Sequence, residues 1–262
     1  FIPHLPPIGH PAFILGFMFP LRAVDRPKKT PWVTRFLLGA NGAAFLWQLV
    51  QWNIFRLAPE SRWGVVPQCY LAPGNCGLLL PDDLEWLGWP LLTSLFLHGD
   101  ALHLAFNMLF LAVFGPGLED RLAQLPLGKL RFTVLYLACG LGASLVHIAT
   151  HPFSDAAVIG ASGAIAGLLG AYFVLLPRSW ILTYVPPVWF LPIPAPLFLV
   201  LWFLAQLSGA WTAALAVLPV GTLNSEAAQI AWMAHLGGFA CGALAGWSVQ
   251  PWRLKRLRAK RT

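Results

Sequence analysis

Two side chains far apart in the chain, Ser162 and His235, are the ones best suited to make and break a covalent bond. A serine hydroxyl is a weak nucleophile until an adjacent base removes its proton, and imidazole is a suitable base. Acyl transfer by such a pair builds negative charge on a carbonyl oxygen, and that charge needs hydrogen-bond donors. His103 and Asn107 are four residues apart, so on a helix they share one face. The Asn107 amide, the His103 ring and the Ser162 backbone N–H are the candidate donors. The last of these is free if a helix starts at Ser162. No acid is placed to orient His235: Glu226 lies nine residues before it, and Glu119 and Asp120 belong to a distant helix end. A Ser162–His235 dyad is therefore expected rather than a triad.

Small residues surround both groups. Gly160-Ala161-Ser162-Gly163 is followed by Gly167 and Gly170, and Ala234-His235 by Gly238, Gly242 and Gly246. Glycines four apart let helix backbones approach closely. Two such helices pressed together would bring the Ser162 hydroxyl within hydrogen-bond reach of His235.

The elements that must position these groups follow from composition. The chain has 262 residues, of which 58% are hydrophobic and 10% charged, against roughly 25% charged in a soluble domain. Too few charges are present to cover a soluble globule, and the apolar, aromatic character excludes disorder. Four cysteines in this length do not make a disulfide scaffold. The remaining class is an all-α polytopic membrane protein. Six transmembrane helices are expected, over Val33–Trp52, Ala101–Phe114 with the apolar run before it, Phe132–Thr150, Ile159–Leu176, Ile193–Leu207 and Ala227–Val249. Trp211–Val220 is apolar but short and reads as a cap or re-entrant piece. With both termini in the cytoplasm, every Lys and Arg except Arg56 and Arg62 falls on the inner side. The net charge of +7 then reflects topology and anionic lipid heads, not nucleic acid.

The domain reading is a cytoplasmic lead over residues 1–32, a six-helix membrane domain over 33–250 and a basic cytoplasmic tail over 251–262. Residues 1–17 are proline-rich and uncharged, without the basic start and cleavage site of a signal peptide. Met18 is a candidate natural start. The first outer loop, about residues 53–100, is long and rich in Trp and Pro, and an oxidising periplasm would allow a Cys69–Cys76 disulfide there. Cys139 and Cys241 read as small packing residues within spans.

The motifs resemble those of the rhomboid family of intramembrane serine proteases. Gly160-Ala161-Ser162-Gly163 is similar to the family's Gly-x-Ser-Gly nucleophile motif. His103-x-x-x-Asn107 resembles its oxyanion motif, and Ala234-His235-x-x-Gly238-x-x-x-Gly242 its histidine motif. Leu92–Gly99 resembles the approach to the second span. The resemblance covers about residues 19–250. It implies a six-span bacterial-type core in the inner (plasma) membrane, with Ser162 as nucleophile, His235 as base and Asn107, His103 and the Ser162 N–H as oxyanion donors. It implies transmembrane protein substrates, cut near the outer membrane face, and no metal, nucleotide or other cofactor. Span five and the loop after it, with Trp202, Phe203 and Trp211, would resemble the lateral gate and cap. The chain departs from the pattern in three places. Trp89-Pro90 stands where Trp-Arg is frequent. Ala166 stands where an aromatic would pack on the histidine. Gly115, Glu119 and Ala123 stand for Gly, Glu and Gly, and Glu119 is expected to fix its own helix end.

Two rival classes share this composition. A catalytically silent relative that binds or escorts membrane clients would be expected to lack the serine or the histidine, and both are present. A transporter would more often show two related halves around a midplane site, and no internal repeat is evident. His147 and His151, four apart, could with His98 hold a metal ion, although interfacial histidines are the plainer reading.

Overall fold

The computed structural model of the protein describes residues 18–25, 27–71, 88–185, 189–216 and 232–250, without the side chains of residues 60, 61 and 209–216. Residues 1–17, Cys76, Glu226 and the basic tail lie outside the described residues. Among those described there are six long helices: α1 (Trp32–Val50), α2 (Ala101–Leu122), α3 (Gly128–Thr150), α4 (Ser162–Leu175), α5 (Ala195–Ala216) and α6 (Trp232–Ser248). Two of them, α2 and α3, are long and apolar enough to cross a bilayer, and α4 and residues 195–208 of α5 are shorter apolar helical stretches. Large apolar side chains such as Phe36, Leu46, Leu102 and Leu244 remain exposed on the outer faces of the helices. The protein is thus largely helical and membrane-associated.

Helix α4 is apolar on every side, and its residues Gly163–Tyr172 are all buried. A helix hydrophobic all round belongs at the centre of a bundle. It packs most extensively on α6, and α3 packs against both. The glycines explain the closeness. A Cβ at Gly242 would overlap the Gly167 carbonyl oxygen, and one at Gly238 the Gly163 carbonyl oxygen. Cys139 of α3 fills the space over Gly167, and both Cys139 and Cys241 are free thiols.

Several helix limits differ from those expected. Helix α2 does not draw on the apolar run before Ala101. That run forms a short helix, Gly88–Thr93, and a 3-10 turn, Ser94–Phe96. Asp100 starts α2 by accepting the His103 N–H at 2.8 Å, and the helix runs on through Pro116 to Leu122. Helix α5 continues through Ser208-Gly209 to Ala216, into the stretch read as a separate cap. Gly209 does not end α5, and Pro116 does not end α2, where the packing of buried Gly115, Leu118 and Glu119 outweighs local propensity.

Glu119 does not fix its own helix end. Its Oε1 accepts the Val33 N–H at 3.0 Å, and its Oε2 accepts the Thr34 N–H and hydroxyl, each at 2.8 Å. These are first-turn groups of α1, whose N-cap Pro31 offers no side-chain bond. A carboxylate suits a helix N-terminus on both hydrogen-bond and dipole grounds. Asp120 beside it accepts the Lys29 N–H at 3.0 Å.

A small antiparallel sheet, not anticipated from the sequence, joins β1 (Phe19–Ala23), β2 (Trp180–Val185) and β3 (Trp189–Pro194) in that order. Its first strand lies in the segment read as a lead, yet packs along α2. Phe19 stacks on Phe106 at 5.7 Å, while Lys29 reaches Asp120. Those two contacts lie about 21 Å apart along the helix at 1.5 Å per residue. Ile181 and Thr183 of β2 face the core and are fully buried. On the edge strand, Pro192 and Pro194 stand opposite Leu182 and Trp180. Proline carries no N–H, so these positions leave no unpaired donor at an apolar edge.

The described parts of the first loop, residues 53–71 and 88–100, are tied to the helices and to each other. The Gln48 side chain pairs with the backbone of His98 in both directions, at 2.9 and 3.1 Å. The Thr93 hydroxyl donates to the Trp63 carbonyl at 2.7 Å, an anchor near Pro90 where the family pattern frequently has Arg. Val65 bridges Val158, and Cys69 is disulfide-bonded. His98, ahead of α2, is fully buried. Desolvation pushes its pKa down to about 4, with His103 acting in the same direction and Phe96 and Asp100 opposing.

Candidate active site

Ser162 is the first residue of α4, so its backbone N–H has no carbonyl one turn earlier to bond. His235 lies in the first turn of α6. The glycine seam between the two helices fixes their separation, and the His235 Nε2 meets the Ser162 Oγ at 2.8 Å. The sequence-derived pair is therefore in direct contact.

The other ring nitrogen also has a partner. His235 Nδ1 lies 2.7 Å from the Gln206 Oε1 on α5. A carbonyl oxygen only accepts, so the Nδ1 carries the proton and the Nε2 facing serine is bare. That is the tautomer needed to take a proton from Ser162. Sequence reasoning looked for an acid near His235 and missed this neutral amide. The available signal was one amide side chain in the otherwise apolar run over residues 195–207.

The aromatic expected four residues after Ser162 is replaced from elsewhere. Trp202 of α5 and Trp232 of α6 both lie 6.3 Å from the His235 ring centre, the first tilted and the second edge-on. Ala166 sits instead at ordinary contact distance from the position a Cβ would take on Gly238. A small side chain there serves the helix approach.

His103 and Asn107 project from α2 into the same recess as Ser162 and His235. The His103 Nδ1 accepts the Gly99 N–H at 3.4 Å, which leaves its Nε2 as the donor. That edge of the ring lies over Gly160: a Cβ there would stand 2.9 Å from the His103 Nε2 and 3.6 Å from the Ser162 Oγ. Gly160 also has φ +126°, a conformation that L side chains rarely adopt. Its N–H is held by the Ser94 carbonyl at 2.8 Å. Asn107 is 6% exposed and spends one N–H on the His103 carbonyl at 3.1 Å. Its second N–H remains available.

The recess has a volume of about 680 Å³. Gly99, Asp100, His151 and Ala156 line its rim and are exposed, so water reaches it. Phe106, Phe110, Ile165 and Trp202 form its apolar wall. His147 and His151 stack on each other at 4.5 Å on another side, while His98 lies edge-on to His103. Among the described residues no three His, Cys, Asp or Glu side chains group to hold a metal ion.

Residues 85–252 match the Rhomboid domain family. The chain is 32% identical over 232 residues to Rhomboid protein 1, mitochondrial, of Saccharomyces cerevisiae, covering 85% of this chain and 56% of the relative. It is 40% identical over 92 residues to RHOMBOID-like protein 5 of Arabidopsis thaliana, covering 35% and 28%. It is 41% identical over 100 residues to Rhomboid protease GluP of Bacillus subtilis, covering 37% and 18%. The match thus spans little more than half the length of the first relative and less of the others.

Proposed function

From its place in the rhomboid family, to which this chain belongs, we propose that it is an intramembrane serine endopeptidase working through Ser162 and His235. The observation that carries this reading is the 2.8 Å contact between the Ser162 Oγ and the His235 Nε2, at the floor of a recess open to water. A packing serine has no need of a correctly protonated imidazole, a free helix N-terminus and a water route together.

The substrate is a transmembrane protein whose helix end unwinds to enter the recess. As the Ser162 Oγ bonds to the scissile carbonyl carbon, the His235 Nε2 takes its proton. The carbonyl oxygen becomes an oxyanion that accepts hydrogen bonds from the Ser162 N–H, the Asn107 amide and the His103 Nε2–H. The intermediate collapses, the C–N bond breaks, and the imidazolium gives its proton to the leaving amine. Water then attacks the ester with His235 again as base, and the proton returns to the Ser162 oxygen. No step calls for a cofactor.

The placement proposed is a six-span domain over residues 33–250 in a bacterial inner membrane. Both termini are cytoplasmic, and the first loop and the recess face outward. The exclusion of Lys and Arg from the outer side, apart from Arg56 and Arg62, supports this orientation.

A fluorophosphonate probe tests the reading without a known substrate. Purified protein is expected to be labelled at Ser162 and to cleave a transmembrane test substrate. Ser162→Ala and His235→Ala should lose both properties while remaining folded. Cleavage retained by pure Ser162→Ala protein would overturn the assignment.

A further inference from the structure

We propose that Gln206 on α5 is a positioning residue for the base, holding His235 in the tautomer that can accept the serine proton. The inference rests on the protease reading of Ser162 and His235 and adds a third participant on another helix. A neutral imidazole places its one proton on either ring nitrogen, and the hydrogen bond at one nitrogen decides the form. With the proton on Nε2, His235 would donate to the Ser162 Oγ and could not take its proton. With the proton on Nδ1, the Nε2 lone pair points at the hydroxyl. The Gln206 Oε1, 2.7 Å from the Nδ1, selects the second form.

Gln206 does this without a charge. A carboxylate in this largely apolar setting would carry a desolvation cost that an amide avoids. Trp202 lies four residues before Gln206 on the same face of α5. One helix therefore supplies both a ring against His235 and the acceptor for its Nδ1. Helix α5 packs on α6 far less extensively than α4 does. The base is thus readied only while α5 is docked, and the reacting pair depends on a helix that contributes no reacting atom.

The test uses the full-length purified protein and two substitutions. Gln206→Met keeps side-chain length but removes the acceptor, and Gln206→Glu keeps an acceptor oxygen. A neutral hydrogen bond of about 1–1.5 kcal/mol corresponds to a loss of about tenfold. Gln206→Met should lower both kcat and the fluorophosphonate labelling rate at Ser162 by about that factor, with KM unchanged. Gln206→Glu should restore the labelling rate. Nitrogen-15 NMR of histidine-labelled wild-type protein, with His235 assigned by its loss in His235→Gln, should show the proton on Nδ1. That measurement stands even if a Gln206 variant fails to fold. A wild-type labelling rate in Gln206→Met, or a proton on the Nε2 of wild-type His235, would overturn the inference. If neither wild type nor Ser162→Ala takes up the probe, the protease reading itself falls, whichever tautomer His235 shows.

Discussion

Replacing Gly242 by alanine tests whether the seam between α4 and α6 sets the catalytic distance. The added Cβ would overlap the Gly167 carbonyl oxygen and stand 2.5 Å from its carbon and 2.8 Å from its Cα. Ordinary contact begins at 3.4 Å, so the carbon alone demands a separation of 0.9 Å. All three obstructing atoms belong to backbone, and no side chain can swing aside. Helix α6 must shift, and His235 lies on the same helix two turns earlier. A shift of that size takes its Nε2 from 2.8 Å to beyond a good hydrogen bond with Ser162. Misplacement by about 1 Å can cost roughly 100-fold in rate, and overpacking costs about 1–3 kcal/mol of stability. Gly246→Ala is the internal control. Its Cβ would meet Ala171 at 3.2 and 3.3 Å and Val174 at 3.3 Å, a tightness that small adjustments relieve. The assay is the fluorophosphonate labelling rate together with thermal unfolding of each purified variant. Gly242→Ala is expected to label roughly 100-fold more slowly and to melt earlier, whereas Gly246→Ala should stay close to wild type. Equal labelling rates in the two variants would refute the view that this seam fixes the reacting geometry.

Two further outcomes follow from buried polar groups that do not touch Ser162. Glu119→Ala leaves the Val33 and Thr34 N–H groups at the start of α1 without their acceptor. It should cost about 3 kcal/mol, read as a lower melting temperature, with the labelling rate of the folded fraction unchanged. His98 is buried with its pKa held at about 4, below its ordinary 6.5. The unfolded chain therefore binds a proton between those values that the native one refuses. Stability is complete above pH 6.5 and should fall as pH drops towards 4, by up to about 1.4 kcal/mol per unit. The same pH series on His98→Phe should be flatter by that amount.

Residue type and spacing made the reacting pair legible, because glycine ladders around both Ser162 and His235 let their two helices approach closely enough for the hydroxyl and the imidazole to meet. His103 and Asn107 were legible for a similar reason, as polar groups one turn apart where lipid is expected. Gln206 was not, since an uncharged amide 29 residues before its partner leaves no local pattern. The ring beside His235 is frequent on α4 in the family pattern and came here from α5 and from α6 itself, because a position left small by Ala166 can be compensated from any neighbouring element. The sheet was hidden by its prolines. Pro192 lay outside every expected element and Pro194 inside the expected fifth span, and only the pairing of β3 with β2 shows that they lie along an edge. The extension of α2 was hidden by Pro116, and the role of Glu119 by its partner being the start of another helix 85 residues away.

Helices that touch through bare peptide groups have nothing to rotate out of the way, so α4 and α6 together behave as an anvil. The opposite flank is made of rings: Phe110 of α2 lies 6.4 Å from Phe198 and 6.5 Å from Trp202 of α5. Aromatic side chains change rotamer far faster than packed helices part company. Under the proposed protease reading, a polypeptide entering on this flank would displace rings and not helix backbones, and the rigidity that keeps the hydroxyl and imidazole in register would not be surrendered to let it in.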